Sequence, residues 1–344
     1  MHDFSDSADL TLTRLVWSTG IAVVIPCYKV TRHIEAVLHE MGPEVDHIYC
    51  IDDACPDSSG DFIAREISDA RVVVVRNAEN LGVGGAVMAG YRRAIHDGAT
   101  VIVKIDGDGQ MDPRLLMRFV GPIAKGDADY TKGNRFWDMR QITRMPLLRR
   151  FGNLGLSFMA KASAGYWMNF DPTNGYTAIH AKVASILPFE SISNRYFFET
   201  DMLFRLNIIR AVVVDVPMDA RYGDEVSGLN TSKIIPEFLA KHARNMFKRV
   251  LYNYFLRDLS IASLELIAAL ILIIFSLGFG GYHWWHAVSS GLPTPIGTVI
   301  LPTIAIVSGL QFLLAFLGYD IANVPTRPLH PMLGDLQTDD RSGK

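Results

Sequence analysis

The chain has 344 residues and a formal net charge of −3, with 33 Lys and Arg against 36 Asp and Glu, so no overall basic field points to nucleic acid. Its apolar fraction of 49% is high for a wholly soluble protein and fits a mixed soluble and membrane chain. The three cysteines, Cys27, Cys50 and Cys55, are an odd set without metal-ligand spacing, which suits free thiols in a reducing compartment.

Residues 1–20 carry Asp3, Asp6 and Asp9 and no apolar run, so they read as a flexible leader and not as a secretory signal. From Ile21 short apolar runs alternate with helical patterns. Ile21–Ile25, His47–Asp52, Val72–Arg76 and Val101–Ile105 read as buried strands. Arg32–Glu40, Asp61–Ile67 and Gly84–Asp97 read as helices between them, and Pro113–Ala124 as a further helix with Pro in its first turn. That alternation predicts an α/β fold, a mostly parallel sheet covered on both faces. Met139–Gly165 interleaves Arg140, Arg144, Arg149, Arg150 and Lys161 with apolar residues, and Lys233–Arg257 sets an apolar stripe against Lys241, Arg244 and Lys248. Both patterns predict amphipathic helices lying on anionic headgroups.

Two stretches are long enough to span a bilayer. Leu259–Gly281 is apolar apart from Glu265 and serines, and Gly297–Gly318 has Gln311 as its strongly polar group; roughly 20 residues cross the hydrocarbon core. The linker Tyr282–Ile296 has no Lys or Arg and holds Trp284 and Trp285, whereas Arg244, Lys248, Arg249 and Arg257 precede the first span and Arg327 follows the second. Basic flanks stay inside, which predicts cytoplasmic termini. The expected organisation is a leader at 1–20, a catalytic domain at 21–232, a juxtamembrane helix at 233–258, two spans with their linker at 259–319, and a cytoplasmic tail at 320–344 that is Pro-rich, polar and flexible from Asn323.

The chemistry gathers at strand ends. Val101–Ile105 runs into Asp106-Gly107-Asp108-Gly109-Gln110. A buried strand thus delivers two carboxylates to the carboxyl edge, where open α/β sheets bind ligands. A divalent cation would relieve their repulsion, and hard oxygen donors suit Mg²⁺ or Mn²⁺ bridging substrate phosphates. The first strand ends in Pro26-Cys27-Tyr28, the second in Asp52-Asp53, and the third leads into Asn77-Ala-Glu-Asn80-Leu-Gly82-Val-Gly84-Gly85. The glycines also form a loose dinucleotide fingerprint, but that motif belongs after the first strand.

This ladder of motifs resembles family 2 glycosyltransferases with the GT-A fold; Lys29 stands where that family commonly has Asn. The resemblance implies that Pro26, Tyr28 and Asp53 line a nucleoside pocket, with Asp52 (which fits a turn-stabilising carboxylate equally well), Asn80 and Gly82 beside it. It implies Asp106 near the ribose and diphosphate, and Asp108 with Gln110 on the metal. Lys132-Gly-Asn-Arg135, Asp171-Pro-Thr-Asn-Gly-Tyr176, Phe198-Glu199-Thr-Asp201 and Arg221–Ser227 look like the polyprenyl-phosphate branch, which includes dolichyl-phosphate mannose synthases. There Arg135 is implied to bind the lipid phosphate with a second arginine, Arg149 or Arg150. Asp171 and Glu199 are implied near the donor sugar or acceptor, with Asp201 a third candidate should a base be needed.

The implied reaction passes a hexose, with inversion, from a UDP- or GDP-sugar to a polyprenyl phosphate such as undecaprenyl or dolichyl phosphate. The implied location is a bacterial plasma membrane before an endoplasmic reticulum, and a homo-oligomer stays open because membrane relatives often self-associate. Two other classes fit the residues less well. A processive polysaccharide synthase would carry Gln-x-x-Arg-Trp, but Gln141-Ile-Thr-Arg144 is followed by Met145. A non-catalytic membrane scaffold has no need of Asp106, Asp108 and Gln110 together.

Overall fold

The computed structural model describes residues 20–137, 147–171, 173–219 and 231–334. It divides the chain into two units, Met1–Asn245 with Pro325–Lys344, and Met246–Val324. Apart from Gly20, the expected leader lies outside the described residues, as does Arg221–Ser227.

In the first unit the order is β1 (Ile21–Cys27), α1 (Ile34–His39), β2 (His47–Asp52), α2 (Ser59–Glu66), β3 (Val72–Arg76), α3 (Val83–His96), β4 (Val101–Lys104), α4 (Leu116–Ala124), β5 (Tyr130–Asn134), α5 (Leu147–Ala164), β6 (Thr177–His180), α6 (Ala181–Ser185), α7 (Phe198–Ile208), β7 (Val213–Pro217) and α8 (Thr231–Leu251), of which the residues from Met246 on belong to the second unit. The seven strands form one sheet in the order β3-β2-β1-β4-β6-β5-β7. Only β6 runs against its neighbours, β4 and β5; the other pairs are parallel. The fold is the expected α/β architecture, and the four sequence-read strands fall within two residues of their predicted bounds. Their near-continuous apolar runs follow from burial on both faces. Val23, Ile25, Ile48, Val101 and Val103 pack with Ile34, Val37 and Leu38 of α1 and Phe119 and Val120 of α4. Ala86, Val87, Tyr91 and Ala94 of α3 are buried as well.

The tail departs from expectation. Buried Asp129, just before β5, accepts the backbone N–H groups of Val212, Leu329 and His330 and pairs with His330 Nδ1 at 2.8 Å. The His330 ring stacks on His180 at 4.3 Å, and Lys182 Nζ donates to Leu333 O. A Pro-rich segment read as flexible is docked because one buried carboxylate satisfies several of its donors.

The second unit holds α9 (Ile261–Phe275), α10 (Gly281–Ser290) and α11 (Ile296–Ala322). A π turn at Ser276–Gly280 joins α9 to α10, so the first apolar helix runs on from Ile261 to Ser290. The predicted linker is therefore largely helical. The break falls at Gly291, with φ +65, before Pro293 and Pro295. Both helices are long and apolar enough to cross a membrane, and only 22% of each apolar window is buried. Leu264, Ile271, Ile274, Ile304, Val307 and Leu314 are all exposed, the reverse of a helix in a soluble core. Within this unit Arg249 forks onto Asp320 at 2.6 and 2.9 Å, and Tyr254 OH donates to the same carboxylate.

Candidate active site

The carboxyl ends of β1, β2, β4, β5 and β7 and the start of antiparallel β6 share one sheet edge. Tyr28 lies exposed just past β1, Pro26 is half-buried within it, and Lys29 takes φ +59. Lys29 N donates to Cys55 Sγ at 3.0 Å. The Cys55 thiol is lowered from its ordinary range: burial acts upward, and the bonds from Ser59, Lys29 and Asp57 outweigh it.

Asp52 and Asp53 end up with their oxygens on loop amides. Asp52 accepts Cys55 N at 2.8 Å and Gly60 N at 2.9 Å, which fixes the turn into α2. Asp53 accepts Asn77 Nδ2, Leu81 N and Gly82 N at 2.7–2.9 Å, which fixes the β3–α3 loop around half-buried Asn80. Gly82 has φ +85, and a Cβ there would come 2.7 Å from Asn194 O, so only glycine fits. Gly84 N and Gly85 N both donate to that same carbonyl. The glycine run therefore seats the segment leading into α7, and these two amides are not offered to a ligand.

The acidic strand end is held from below by a lysine. Lys104, the last residue of β4, is 1% exposed, with Nζ 2.8 Å from Asp106 Oδ1 and 3.6 Å from Glu199 Oε1. The nearer approach is close but not aligned as a hydrogen bond, so charge carries the link. Burial acts to lower the Lys104 ammonium, but Asp106 and Glu199 outweigh it and leave it raised, hence charged. Burial raises the Glu199 carboxyl above its ordinary range against the pull of Lys104. Gly175 makes this packing possible, because a Cβ there would strike Lys104 Nζ and come 2.7 Å from Asp106 Oδ2. Asp108 and Gln110 follow on a turn in which Gln110 N donates to Asp108 Oδ1 at 3.0 Å.

Beyond β5, Arg135 forks onto Asp171. Nε and Nη2 donate to Oδ2 and Oδ1 at 2.7 and 2.8 Å, and Arg135 N adds a third bond. Asp171 is buried with φ +51. Its carboxyl sits below the ordinary range: burial acts upward, and Arg135, Lys132 and Asn174 outweigh it. Lys132 is buried one row away, bonded to Phe170 O and paired with Asp215 at 3.2 Å. Burial lowers its ammonium, and Asp215 and Asp171 act against that. Lys104, Thr177, Lys132 and Asp215 are cross-strand partners in one row. Sequence reading missed Lys104, Lys132 and Asp215 as site residues; for Lys104 and Asp215 the available signal was a charge inside an otherwise apolar strand. Asp201 is structural, accepting Ser193 N and Asn245 Nδ2. Arg149 and Arg150 lie in the first turn of α5, and nothing further is described of their side chains.

The donor set fits a loosely held hard cation. Among the described residues no group of three or more His, Cys, Asp or Glu could hold a metal alone. Mg²⁺ or Mn²⁺ would take one or two protein oxygens, from Asp108 and Gln110, and the rest from phosphate and water.

A model of glycosyl transferase family 2 matches residues 22–187. The UDP-N-acetylglucosamine–dolichyl-phosphate N-acetylglucosaminyltransferase of Methanococcus voltae is 26% identical over 230 residues, 62% of this chain and 91% of that protein. The undecaprenyl-phosphate mannosyltransferase of Micrococcus luteus is 29% identical over 203 residues, 58% of this chain and 82% of that one. The crystal structure of glucosyl-3-phosphoglycerate synthase from Mycobacterium tuberculosis with UDP aligns at TM-score 0.48 and 18% identity, over 70% of this chain and 82% of that one. At that level neither fold nor ligand is inferred from it.

Proposed function

We propose, for a chain that belongs to glycosyltransferase family 2, that it moves a hexosyl group from a nucleoside-diphosphate sugar to a membrane polyprenyl phosphate, inverting the anomeric carbon. The observation that carries the acceptor class is Arg135, partly exposed at the same sheet edge as Asp106 and Asp108. Trp137, two residues on, and Met168 and Phe170, shortly before Asp171, are exposed apolar residues. A planar guanidinium suits a phosphate dianion, and apolar neighbours suit a headgroup whose tail stays in lipid. Relatives named for dolichyl and undecaprenyl phosphate support the same class.

A phosphate oxygen of the acceptor attacks the anomeric carbon. The bond from that carbon to the donor diphosphate breaks, and the nucleoside diphosphate leaves with the electron pair. The acceptor phosphate is ionised near neutral pH, so no proton need be removed and no general base is required. Asp108 and Gln110 hold the divalent ion, which when bound supplies Lewis-acid stabilisation of the leaving diphosphate. Asp106, braced by Lys104, faces the ribose and diphosphate. Pro26 and Tyr28 line the nucleoside end, while Asp52 and Asp53 shape the loops around it. Glu199 lies toward the donor sugar. Arg135, with Arg149 or Arg150, receives the acceptor phosphate. The two apolar helices cross the membrane with both termini cytoplasmic.

The test uses full-length protein with Mg²⁺ or Mn²⁺, labelled UDP- and GDP-sugars, and undecaprenyl or dolichyl phosphate. Label should enter the lipid phase from one of the donors. If no combination labels either lipid, the acceptor reading fails.

A further inference from the structure

We infer that Asp171 is a positioning residue that presents Arg135 to the acceptor phosphate, and not a base; this rests on the polyprenyl-phosphate reading above. The two Asp171 oxygens accept four N–H groups: Nη2 of Arg135 on Oδ1, and Nε and N of Arg135 with Nδ2 of Asn174 on Oδ2. An ionised carboxylate offers about two lone-pair sites on each oxygen, so Oδ2 is saturated and one site is left, on Oδ1. The side chain is 1% exposed. A base must bring a lone pair within hydrogen-bond reach of the proton it takes; here three of the four donors crowd Oδ2, and the site left on Oδ1 is buried with the rest of the side chain.

The surrounding frame is built to hold that arrangement. Asp171 sits at φ +51, a conformation that non-glycine residues rarely adopt. The chain before it is tied down by Lys132 Nζ on Phe170 O, and by Phe170 N and Asn169 Nδ2 on Asp215. The chain after it returns through Asn174 N to Asp171 O. Strained conformations persist where the surroundings over-determine them, commonly at functional sites. What the frame fixes is the plane of the Arg135 guanidinium at the end of β5. About a third of that side chain, 35%, stays exposed. Two of its five N–H groups are engaged side on by Asp171, so the fork is oriented before phosphate arrives. An anchored side chain loses less freedom on binding, which favours affinity. Asp171 also offsets some of the positive charge, but at a partly exposed group that opposing effect is screened.

The test is a steady-state comparison in the full-length enzyme with undecaprenyl phosphate as acceptor. Asp171→Asn should raise the acceptor KM about ten-fold through lost pre-organisation, with donor KM unchanged and kcat reduced about three-fold or less. Asp171→Asn combined with Arg135→Ala should be no worse than Arg135→Ala alone. A kcat loss of about a hundred-fold at unchanged acceptor KM, multiplying with Arg135→Ala, would mark a base and overturn the inference. Should Asp171→Asn not fold, Arg135→Lys keeps the charge and removes the fork; a normal acceptor KM there overturns it equally.

A second readout needs no acceptor. Phenylglyoxal labelling of Arg135, followed by mass spectrometry, should quicken about five-fold or more in Asp171→Asn as the charge-assisted pair is lost. Equal labelling rates overturn the inference. Faster labelling in a protein that never glycosylates a polyprenyl phosphate overturns the functional reading alone.

Discussion

Replacing Lys104 with Met tests the charge balance under the acidic strand end. The ammonium is 1% exposed, 2.8 Å from Asp106 and 3.6 Å from Glu199. At an effective dielectric of about 20 those separations correspond to roughly 6 and 5 kcal/mol of attraction, most of it offset by desolvation. Removing one partner of a buried pair costs about 3–5 kcal/mol, because the remaining charge is stranded. Glu199 can escape by taking up a proton, since burial already holds its carboxyl above the ordinary range and Lys104 is the main influence pulling it down. A carboxyl raised in the folded state contributes stability that is full below its unfolded value and is lost as pH rises through the folded value. Lys104→Met should therefore be tolerated near pH 5 and lose about 3 kcal/mol by pH 8. Unfolding of the full-length protein at both pH values measures this, and calorimetry of nucleoside-diphosphate binding with Mn²⁺ should show weaker binding at pH 8. A loss equal at both pH values, or below about 1 kcal/mol at pH 8, would refute the stranded-charge reasoning.

Asp108→Ala should abolish Mn²⁺-dependent nucleotide binding and turnover; retained activity sinks its metal role. Gly175→Ala places a methyl group against Lys104 Nζ and Asp106 Oδ2, so the donor KM should rise about ten-fold and stability fall by about 1–3 kcal/mol; an unchanged donor KM refutes the close packing. Asp129→Ala leaves the amides of Val212, Leu329 and His330 without their acceptor. It should destabilise by about 3 kcal/mol, and hydrogen exchange at Leu329 and His330 should accelerate, which a freely moving tail would not show. His180 is held at about 4, chiefly by burial and then by the neighbouring His330. A depressed histidine contributes stability present above its unfolded value, near 6.5, and lost as pH falls through the folded value. Melting temperature should drop between those limits, and His180→Phe should flatten that drop.

The parallel half of the sheet was legible because strands covered on both faces carry near-continuous apolar runs, as the interiors of β1 to β4 do. What stayed hidden is whatever depends on the path of the chain between elements. Arg135 and Asp171 are 36 residues apart and carry separate implied roles, yet the turn of β6 against β5 joins them in one ion pair. For Asp52 the sequence already allowed a turn-stabilising carboxylate beside a nucleoside contact, and its bonds to Cys55 N and Gly60 N show the turn; that Asp53 holds the β3–α3 loop is set by backbone trajectory. Lys104 passes for the last residue of an apolar strand until Glu199, 95 residues on, arrives beside it. The first apolar helix outruns its predicted end because Gly278, Gly280 and Gly281 keep helical or π geometry and neither Pro nor a positive φ interrupts the chain before Gly291.

The docked tail bears on topology independently of the basic residues. The chain leaves the first unit after Asn245 and re-enters it at Pro325. Between those points lie two helices that meet the length and hydropathy of a span. If only one of them crossed the bilayer, Leu329 and His330 would emerge on the side away from Asp129. Both donate to Asp129, which is wholly buried in the first unit. An even number of crossings is thus a condition of that contact, whatever the count of lysines and arginines on either flank. The basic flanks and the tail's hydrogen bonds therefore ask for the same parity for unrelated reasons, the first through the positive-inside bias and the second through the requirement that a buried carboxylate find its donors.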